Sequence, residues 1–255
     1  MIVTRSSSDV RRVPGSISRP GHEVWVTGYM GKHTGAKISD PGAWAEELFP
    51  DAYVIEQGAG VFGPPHFHRA NEFQLITVGS GTLGRAPVQP YVVHYAGAYT
   101  PYGPIDPGPQ GIGYLTLRTL FDPGARNLPE NREELHAGRR KPRAHVSEQL
   151  SVGVARAATK PACEEIFAPE PDGLAALLYH VPPNADIVGP DPAGGGGQFW
   201  VVLDGEMASA DGKPLPSMSC VFVSRDESAQ RIASSRVPLD VLLMQFPTHQ
   251  EAARA

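Results

Sequence analysis

The stretch GVFGPPHFHRANEFQLITVG, residues 60–79, contains two histidines and a glutamate at short, fixed distances. His66 and His68 are two residues apart, and residues i and i+2 of a β-strand face the same side. Glu72 follows a short bend at residues 69–71 and starts the next predicted strand, so its carboxylate can reach the same point. Two imidazoles and a carboxylate form a facial set that suits iron(II) and leaves positions open for substrate or oxygen; Mn, Zn, Ni or Cu are the alternatives.

The composition is typical of a β protein with many turns. The chain includes 28 glycines and 26 prolines among 255 residues, and both residue types interrupt helices. Hydrophobic residues make up 41% and the formal net charge is only −5, which argues against a disordered chain. The composition therefore predicts an all-β fold built from short strands.

Charge and hydropathy patterns restrict the partners. No basic stripe is interleaved with aromatic residues, so no nucleic-acid partner is expected. No apolar run approaches the roughly 18 residues that span a bilayer, and the N-terminal residues lack the apolar region of a secretory signal, so no membrane partner is expected. Cys163 and Cys220 are far apart and lie in no CxxC motif, which is typical of free thiols and predicts a cytoplasmic protein.

The second half of the chain repeats features of the first. At an offset of 126 residues, NEFQLITVG (71–79) lies on GQFWVVLDG (197–205) without a gap. Identical residues coincide at the pairs Tyr53/Tyr179, Ala59/Ala185, Gly63/Gly189, Pro64/Pro190, Phe73/Phe199 and Gly79/Gly205. These positions lie at strand ends and turns, and the pattern predicts a duplication, with two similar β-barrels in tandem.

The spacing Gly60-x5-His66-x-His68-x3-Glu72-x6-Gly79 resembles the first motif of the cupin superfamily and matches it at every defined position. The resemblance implies a small antiparallel barrel that often binds a metal between its sheets. Together with the repeat, it implies an all-β fold of two tandem antiparallel cupin-type barrels of the double-stranded β-helix or jelly-roll type, a bicupin.

The expected segments follow from the repeat and from changes in composition. Residues 122–150 are polar and charged without a strong apolar period, and strands are predicted on both sides of them. The predicted segments are a lead-in over residues 1–21, a metal-binding barrel over 22–125, an inter-domain connection over 126–172, a degenerate second barrel over 173–247 and a tail over 248–255.

The second motif of the cupin family is only partly present between Gly97 and Gln110. The resemblance implies a histidine as fourth metal ligand, and Asp106 stands at its position. Asp106 could supply an oxygen ligand, which would favour the harder ions Mn(II) and Fe(II), or point away and leave three ligands. His94 and Tyr102 lie nearby in the sequence, and either is a candidate to complete the site.

The second repeat lacks these ligands. At the 126-residue offset the two histidines fall on Pro192 and Gly194, whose side chains cannot bind a metal, and the glutamate falls on Gln198. Glutamine keeps the shape of glutamate without its charge, which predicts a neutral, hydrogen-bonded interior. The sequence therefore predicts a bicupin with one metal site.

A functional hypothesis and its alternatives follow from the site. A metal held by His66, His68 and Glu72 has at least two free positions for substrate oxygen atoms and O2, or for Lewis-acid chemistry. The first hypothesis is a metal-dependent enzyme acting on a small organic substrate, an Fe(II) oxygenase of the dioxygenase type. A metal-dependent cyclase or isomerase and a non-catalytic ligand-binding or structural bicupin are the alternatives.

The expected cofactor is one divalent transition metal per chain, with iron favoured. Tyr102 and Gln74 are the candidate catalytic residues, and a homodimer is the expected assembly because open sheet edges need covering. The side chains expected to line the pocket are Phe62, Phe67, Gln74, Ile76, Tyr99 and Tyr102. Neither a Walker A loop nor a GxGxxG after a strand occurs, which argues against NTPase and Rossmann folds.

Overall fold

The computed structural model describes residues 1–31, 50–120, 122–138, 141–209 and 212–248. The described residues form two compact units. The first lies within Arg11–Gln149, and the second combines Met1–Val10 with the described part of Leu150–His249. None of the helices in these ranges is both long and apolar enough to cross a membrane.

Both units consist almost entirely of β-strands. The strands of the first half are β1 (Ile2–Arg5), β2 (Arg12–Pro14), β3 (Val24–Met30), β4 (Asp51–Gln57), β5 (His66–Phe67), β6 (Glu72–Leu83), β7 (Ala86–Val88), β8 (Val93–Ala96), β9 (Ile105–Arg118), β10 (Arg126–Asn127) and β11 (Ala144–Val146), with the helix α1 (Arg132–Ala137) between the last two. The strands of the second half are β12 (Ala162–Phe167), β13 (Ala175–Val181), β14 (Asp186–Val188), β15 (Gln198–Met207), β16 (Leu215–Pro216), β17 (Cys220–Val223) and β18 (Arg231–Gln245).

In the first unit, β6 and β9 form the centre of an antiparallel sheet with the order β11-β8-β6-β9-β4-β3-β2, and β7 pairs with β6. The β6–β9 register shifts twice, at Thr77 and at Ser80. Shifts of this kind are β-bulges, which bend a strand and let it continue around a barrel. The strand β5 lies outside this sheet and pairs with β10. The buried apolar cluster that these strands enclose includes Ile76, Leu83, Val88, Val92, Ile105, Ile112 and Tyr114.

The second unit repeats this arrangement. Its sheet has the order β1-β17-β15-β18-β13-β12, all its pairs are antiparallel, and β14 and β16 pair with β18 and β15. The central pair β15–β18 corresponds to β6–β9 and also contains two register shifts. The prediction of an all-β fold with two tandem antiparallel barrels is confirmed.

The strands at the ends of each unit depart from the predicted segment bounds. In the predicted lead-in, β1 pairs with β17 of the second unit, whereas β2 pairs with β3 of the first. In the predicted connection, β11 pairs with β8 and β12 with β13, so both are barrel strands. These short strands have weak apolar patterns because they lie at sheet edges. All but the first residue of the predicted tail, 248–255, lie outside the described residues.

The strand register refines the predicted repeat. Phe73 pairs with Leu117 on β9, and Phe199 pairs with Met244 on β18, so the offset is 126 residues on β6 and β15 but 127 on β9 and β18. Tyr53 pairs with Thr116, whereas it is Leu177 that pairs with the corresponding residue of β18, Leu243. The aligned tyrosines Tyr53 and Tyr179 are therefore not at equivalent positions.

One matched pair of glycines in the repeat, Gly79 and Gly205, is needed for the same structural reason in both barrels. Gly79 has φ +67° and Gly205 has φ +82°, a left-handed backbone conformation that residues with a side chain rarely adopt. A Cβ atom at Gly79 would lie 2.2 Å from the carbonyl oxygen of Gly111, and one at Gly205 would lie 1.7 Å from that of Pro238. In each barrel the backbone of the paired strand therefore occupies the space that a side chain would need.

We predict that Gly205→Ala lowers the free energy of unfolding by about 3 kcal/mol or more, because backbone strain and a backbone clash add together. The matched control is Gly21→Ala, since Gly21 has φ +76° but no described atom within 4 Å of its added Cβ. The control should cost about 1–2 kcal/mol, the strain alone. Urea denaturation measures both, and equal losses would contradict the close approach.

Candidate metal centre

The two histidines of the motif lie at the wall of a cavity of about 260 Å³ in the first barrel. His66 is 7% exposed and His68 is 8% exposed, while Glu72 is fully buried at the start of β6. Tyr102 lies directly across from His66 in an antiparallel bridge, and their ring centroids are 4.4 Å apart. The structure therefore brings His66, His68, Glu72 and Tyr102 together.

Each histidine donates its Nδ1 hydrogen away from the site. His66 Nδ1 lies 2.8 Å from the carbonyl oxygen of Pro64, and His68 Nδ1 lies 2.8 Å from Oδ1 of Asp122. Both partners are acceptors, so Nδ1 carries a hydrogen in each ring, and Nε2 is the nitrogen that can present a lone pair. Burial lowers the pKa of His66 and favours the neutral form. Metal-bound histidines in proteins use this arrangement.

Asp122 fixes the bend between the histidines and the glutamate. Its Oδ1 also accepts from the backbone N–H of Gly124 at 2.8 Å, and its Oδ2 accepts from those of Arg69 and Ala70 at 2.8 and 3.3 Å. Burial acts to raise the pKa of Asp122, but the hydrogen bond from His68 and the charge of Arg118 outweigh it and hold the pKa well below its ordinary range. One ionised carboxylate thereby orients His68 and the chain that follows it.

Glu72 forms an ion pair with Arg118, at the end of β9. Arg118 Nη2 donates to Glu72 Oε2 at 2.5 Å and lies 3.3 Å from both ring nitrogens of His68. Burial acts to raise the pKa of Glu72, but His68 and Arg118 lower it below its ordinary value, so the carboxylate is ionised. The other oxygen, Oε1, is buried and accepts no hydrogen bond of normal geometry among the described residues, although the nearby Tyr102 hydroxyl also acts to lower the pKa of Glu72.

The guanidinium of Arg118 also contacts β4. Its Nη1 donates to the hydroxyl of Tyr53 at 2.9 Å and lies 3.7 Å from Oδ2 of Asp51. Asp51 and Arg118 are direct partners in the β4–β9 register, and both are almost completely buried. Asp51, Tyr53, Arg118 and Asp122 lie outside the motif, whose spacing does not indicate them as site residues. A charged residue at the end of a long apolar strand, as in GIGYLTLRTLF (111–121), is the signal that could have identified Arg118.

A chain of hydrogen bonds orients Tyr102. His94 Nδ1 donates to Gln74 Oε1 at 2.9 Å, and Gln74 Nε2 donates to the Tyr102 hydroxyl oxygen at 3.2 Å. Burial lowers the pKa of His94 to about 4, so the ring is neutral, and burial together with Glu72 raises the pKa of Tyr102 well above its ordinary value. Tyr102 therefore keeps its hydrogen, and its oxygen already accepts from Gln74.

The structure does not bring Asp106 to the site. Ile105 is buried and points inward at the start of β9, and side chains alternate along a strand, so Asp106 is exposed on the opposite face. It lines a different cavity, together with Ser80 and Pro107. Tyr102, rather than Asp106, is the residue that pairs with His66 from the neighbouring segment.

The prediction of the residues that line the pocket is only partly correct. Gln74 and Tyr102 line the cavity, whereas Phe62 is 52% exposed and Ile76 belongs to the apolar core. Phe67 is fully buried and stacks on Tyr99. The side chains that line the cavity besides these and the charged groups above include Ile55, Gln57, Ile105, Tyr114 and Thr116.

The donor set consists of ligand types that divalent metals use, imidazole and carboxylate. Two imidazoles have Nε2 lone pairs, and the buried Glu72 has an oxygen without a partner. As arranged, no group of three His, Cys, Asp or Glu side chains in the described part of the chain is close enough to hold a metal ion. A cationic group, the guanidinium of Arg118, contacts both Glu72 and His68.

The second barrel is neutral at the corresponding place. Gln198 donates to the carbonyl oxygen of Pro190 at 3.0 Å and to Gln245 Oε1 at 2.8 Å, and it accepts from Trp200 Nε1 at 3.2 Å. Gln198 and Gln245 pair across β15 and β18. The predicted neutral, hydrogen-bonded interior around Gln198 is thus present.

Comparison with known proteins supports the fold. No protein-family model and no curated protein matches the sequence. Among solved structures, a candidate dioxygenase from Nostoc punctiforme has a TM-score of 0.61 at 11% identity, covering 99% of this chain and 85% of that one. The bacterial pirin YhhW from Escherichia coli in complex with nickel(II) has a TM-score of 0.57 at 12% identity, covering 97% and 99%.

A variant of the oxalate decarboxylase OxdC from Bacillus subtilis has a TM-score of 0.57 at 13% identity, covering 98% of this chain and 78% of that one. TM-scores above 0.5 at such low sequence identity show a shared fold and no more than that. The chain therefore shares the fold of these structures, and its two antiparallel barrels agree with the fold that the motif and the repeat predict.

We predict that Asp122→Asn lowers the affinity for a divalent metal by about 10- to 100-fold, because His68 loses its anionic acceptor. Titration of the metal-free protein with Mn(II), followed by calorimetry, measures the change. Asp186→Asn is a matched control, since Asp186 accepts from Arg231 at the surface of the second unit. An affinity unchanged in Asp122→Asn would contradict the role of this carboxylate.

Proposed function

We propose that the first barrel is the active site of a metal-dependent enzyme that acts on a small organic substrate, with an Fe(II) oxygenase as the leading reaction class. His66, His68 and Glu72 would hold one divalent transition metal per chain. The observation that carries the proposal is the orientation of the two imidazoles: each donates Nδ1–H to a fixed acceptor, so Nε2 is the nitrogen with which each ring would bind a metal.

The charge distribution supports a cation in this site. Three carboxyl groups, those of Asp51, Glu72 and Asp122, surround a single guanidinium, and all four groups are nearly or fully buried. Buried negative charge is costly unless a cation compensates it. A divalent metal beside Glu72 would supply the missing positive charge.

The cavity favours a small substrate. Its volume of about 260 Å³ is below the range of roughly 300–1,000 Å³ that is usual for ligand pockets. Aliphatic and aromatic side chains, those of Ile55, Ile105 and Tyr114, line it beside the polar groups. A single-ring catechol or a small diketone fits these dimensions better than a flavonoid does.

A bound Fe(II) would supply the electron chemistry and two or more positions for substrate and O2. The chain itself supplies orientation and protons. Tyr102 keeps its hydrogen, is held by Gln74 and lies near Glu72, so its hydroxyl would donate to a substrate oxygen in the cavity in place of the carboxylate. His94 fixes the amide of Gln74 and so acts on Tyr102 indirectly.

We predict that the purified protein contains about one transition metal per chain and that the His66→Ala/His68→Ala variant contains none, because both imidazole ligands are removed. Metal analysis by mass spectrometry measures this. His136→Ala is the control, since His136 is exposed on α1. Metal retained by the double variant would refute the site. Oxygen uptake by the Fe(II)-loaded protein with catechols and diketones tests the reaction class.

We predict that Tyr102→Phe lowers kcat by about 100-fold with little change in metal content, since only a proton donor is lost. Steady-state kinetics on the substrate found by oxygen uptake measures the effect. Tyr99→Phe is the matched control, because Tyr99 stacks on Phe67 and does not line the cavity. A kcat as high as that of the unmodified protein would show that Tyr102 is not catalytic.

A metal-dependent cyclase or isomerase uses the same donors and the same tyrosine, and is the conclusion if metal is bound but no oxygen is consumed. A non-catalytic binder is the second candidate function. The observation that favours it is the Arg118–Glu72 ion pair, which gives the buried carboxylate a counter-charge without any metal.

A further inference from the structure

Arg118 lies between two carboxylates that are on different strands. Its Nη2 bonds to Glu72 on β6, and its Nη1 lies 3.7 Å from Asp51 on β4. The side chain of Arg118 is 3% exposed, so water cannot compensate its charge. Its Nε has no hydrogen-bonding partner among the described residues. The guanidinium is therefore held at its two ends, with one carboxylate at each.

The contact with Glu72 conflicts with a metal at the same donors. Nη2 of Arg118 donates a hydrogen bond to Oε2 of Glu72 and lies beside both ring nitrogens of His68. Two cations a few ångströms apart repel strongly where the dielectric constant is low. Even a metal that binds Glu72 through the other oxygen, Oε1, would lie close to Nη2, so we expect it to displace Nη2.

The structure provides a second position for the displaced group. Asp51 is the direct partner of Arg118 in the β4–β9 register, and Tyr53 already accepts from Nη1. A small rotation of the guanidinium toward β4 would close the 3.7 Å gap to Asp51 and keep the charge paired. Releasing Glu72 thus does not leave a buried cation without a partner, which would be costly.

The second barrel shows what the same positions look like without charge. In the register, Gln198 and Gln245 occupy the positions of Glu72 and Arg118, and Ala175 occupies that of Asp51. The neutral pair is joined by a hydrogen bond of 2.8 Å. The acid on β4 is thus present only in the barrel where the central pair is charged.

We propose that Arg118 is an internal cation that pairs with the Glu72 carboxylate in the metal-free protein and, when a metal binds, pairs with Asp51 instead while it keeps its hydrogen bond to Tyr53. This inference rests on the proposed metal site at His66, His68 and Glu72. The exchange stabilises the empty barrel and weakens metal binding, because only the fraction of molecules with Arg118 displaced is competent. Arg118 is in this sense a positioning residue that sets metal affinity.

The test compares Mn(II) affinity of the metal-free unmodified protein and of Arg118→Gln, which introduces the residue present in the second barrel. We expect Arg118→Gln to bind at least about tenfold more tightly, since the competing charge is gone. The metal should also raise the Tm of Arg118→Gln more than that of the unmodified protein. Arg118→Lys, which keeps the charge, should not tighten binding. Arg231→Gln, at the surface of the second unit, is the control for loss of an arginine.

The outcomes separate this inference from the proposed function. Equal or weaker binding by Arg118→Gln overturns the competition while leaving the metal site intact. Absence of binding by both proteins overturns the metal site and, with it, the inference.

A crystal structure of the Mn(II)-loaded unmodified protein decides the matter if Arg118→Gln does not fold. A separation of Arg118 Nη2 from Glu72 Oε2 beyond about 3.5 Å, the limit of a hydrogen bond, supports the exchange. An intact contact beside a bound metal overturns it.

Discussion

A buried carboxylate needs a counter-charge, and this requirement organises the first barrel. Glu72 is fully buried and ionised, and an unpaired charge in such a position would cost several kcal/mol. Arg118 supplies the compensation from β9, and Asp51 and Tyr53 in turn hold Arg118. Each group is thus fixed by the one before it, and the strand order β6-β9-β4 places all of them side by side.

The histidines depend on a second carboxylate. Asp122 accepts from His68 and from three backbone N–H groups, two of them in the bend that leads to Glu72. A carboxylate with this many donors is strongly preorganised, and it fixes which nitrogen of His68 carries the hydrogen. The HxH spacing alone does not do this, because it sets only the face on which the imidazoles lie.

The sequence predicts the two barrels, the buried motif and the loss of ligands in the second half, because these depend on local spacing and on strand alternation. It fails where the partner comes from another strand. Asp106 is misassigned by a gapped family pattern, although the buried Ile105 before it fixes its outward face. Arg118 and Asp122 are 46 and 54 residues from the side chains they contact, and no local pattern indicates such pairs.

The comparison of the barrels shows why only one of them is a candidate for chemistry. In the second barrel a neutral hydrogen bond joins Gln198 to Gln245. This pair carries no negative charge that a cation could compensate. In the first barrel Arg118 pairs with Glu72 and has a second acid, Asp51, 3.7 Å away, so under the proposed exchange a bound cation would shift Arg118 from one acid to the other. The first barrel can therefore respond to a metal through residues already in contact. Replacing Glu72 and Arg118 together by glutamine would remove that response, and it would introduce the Gln–Gln pair that the second barrel already contains.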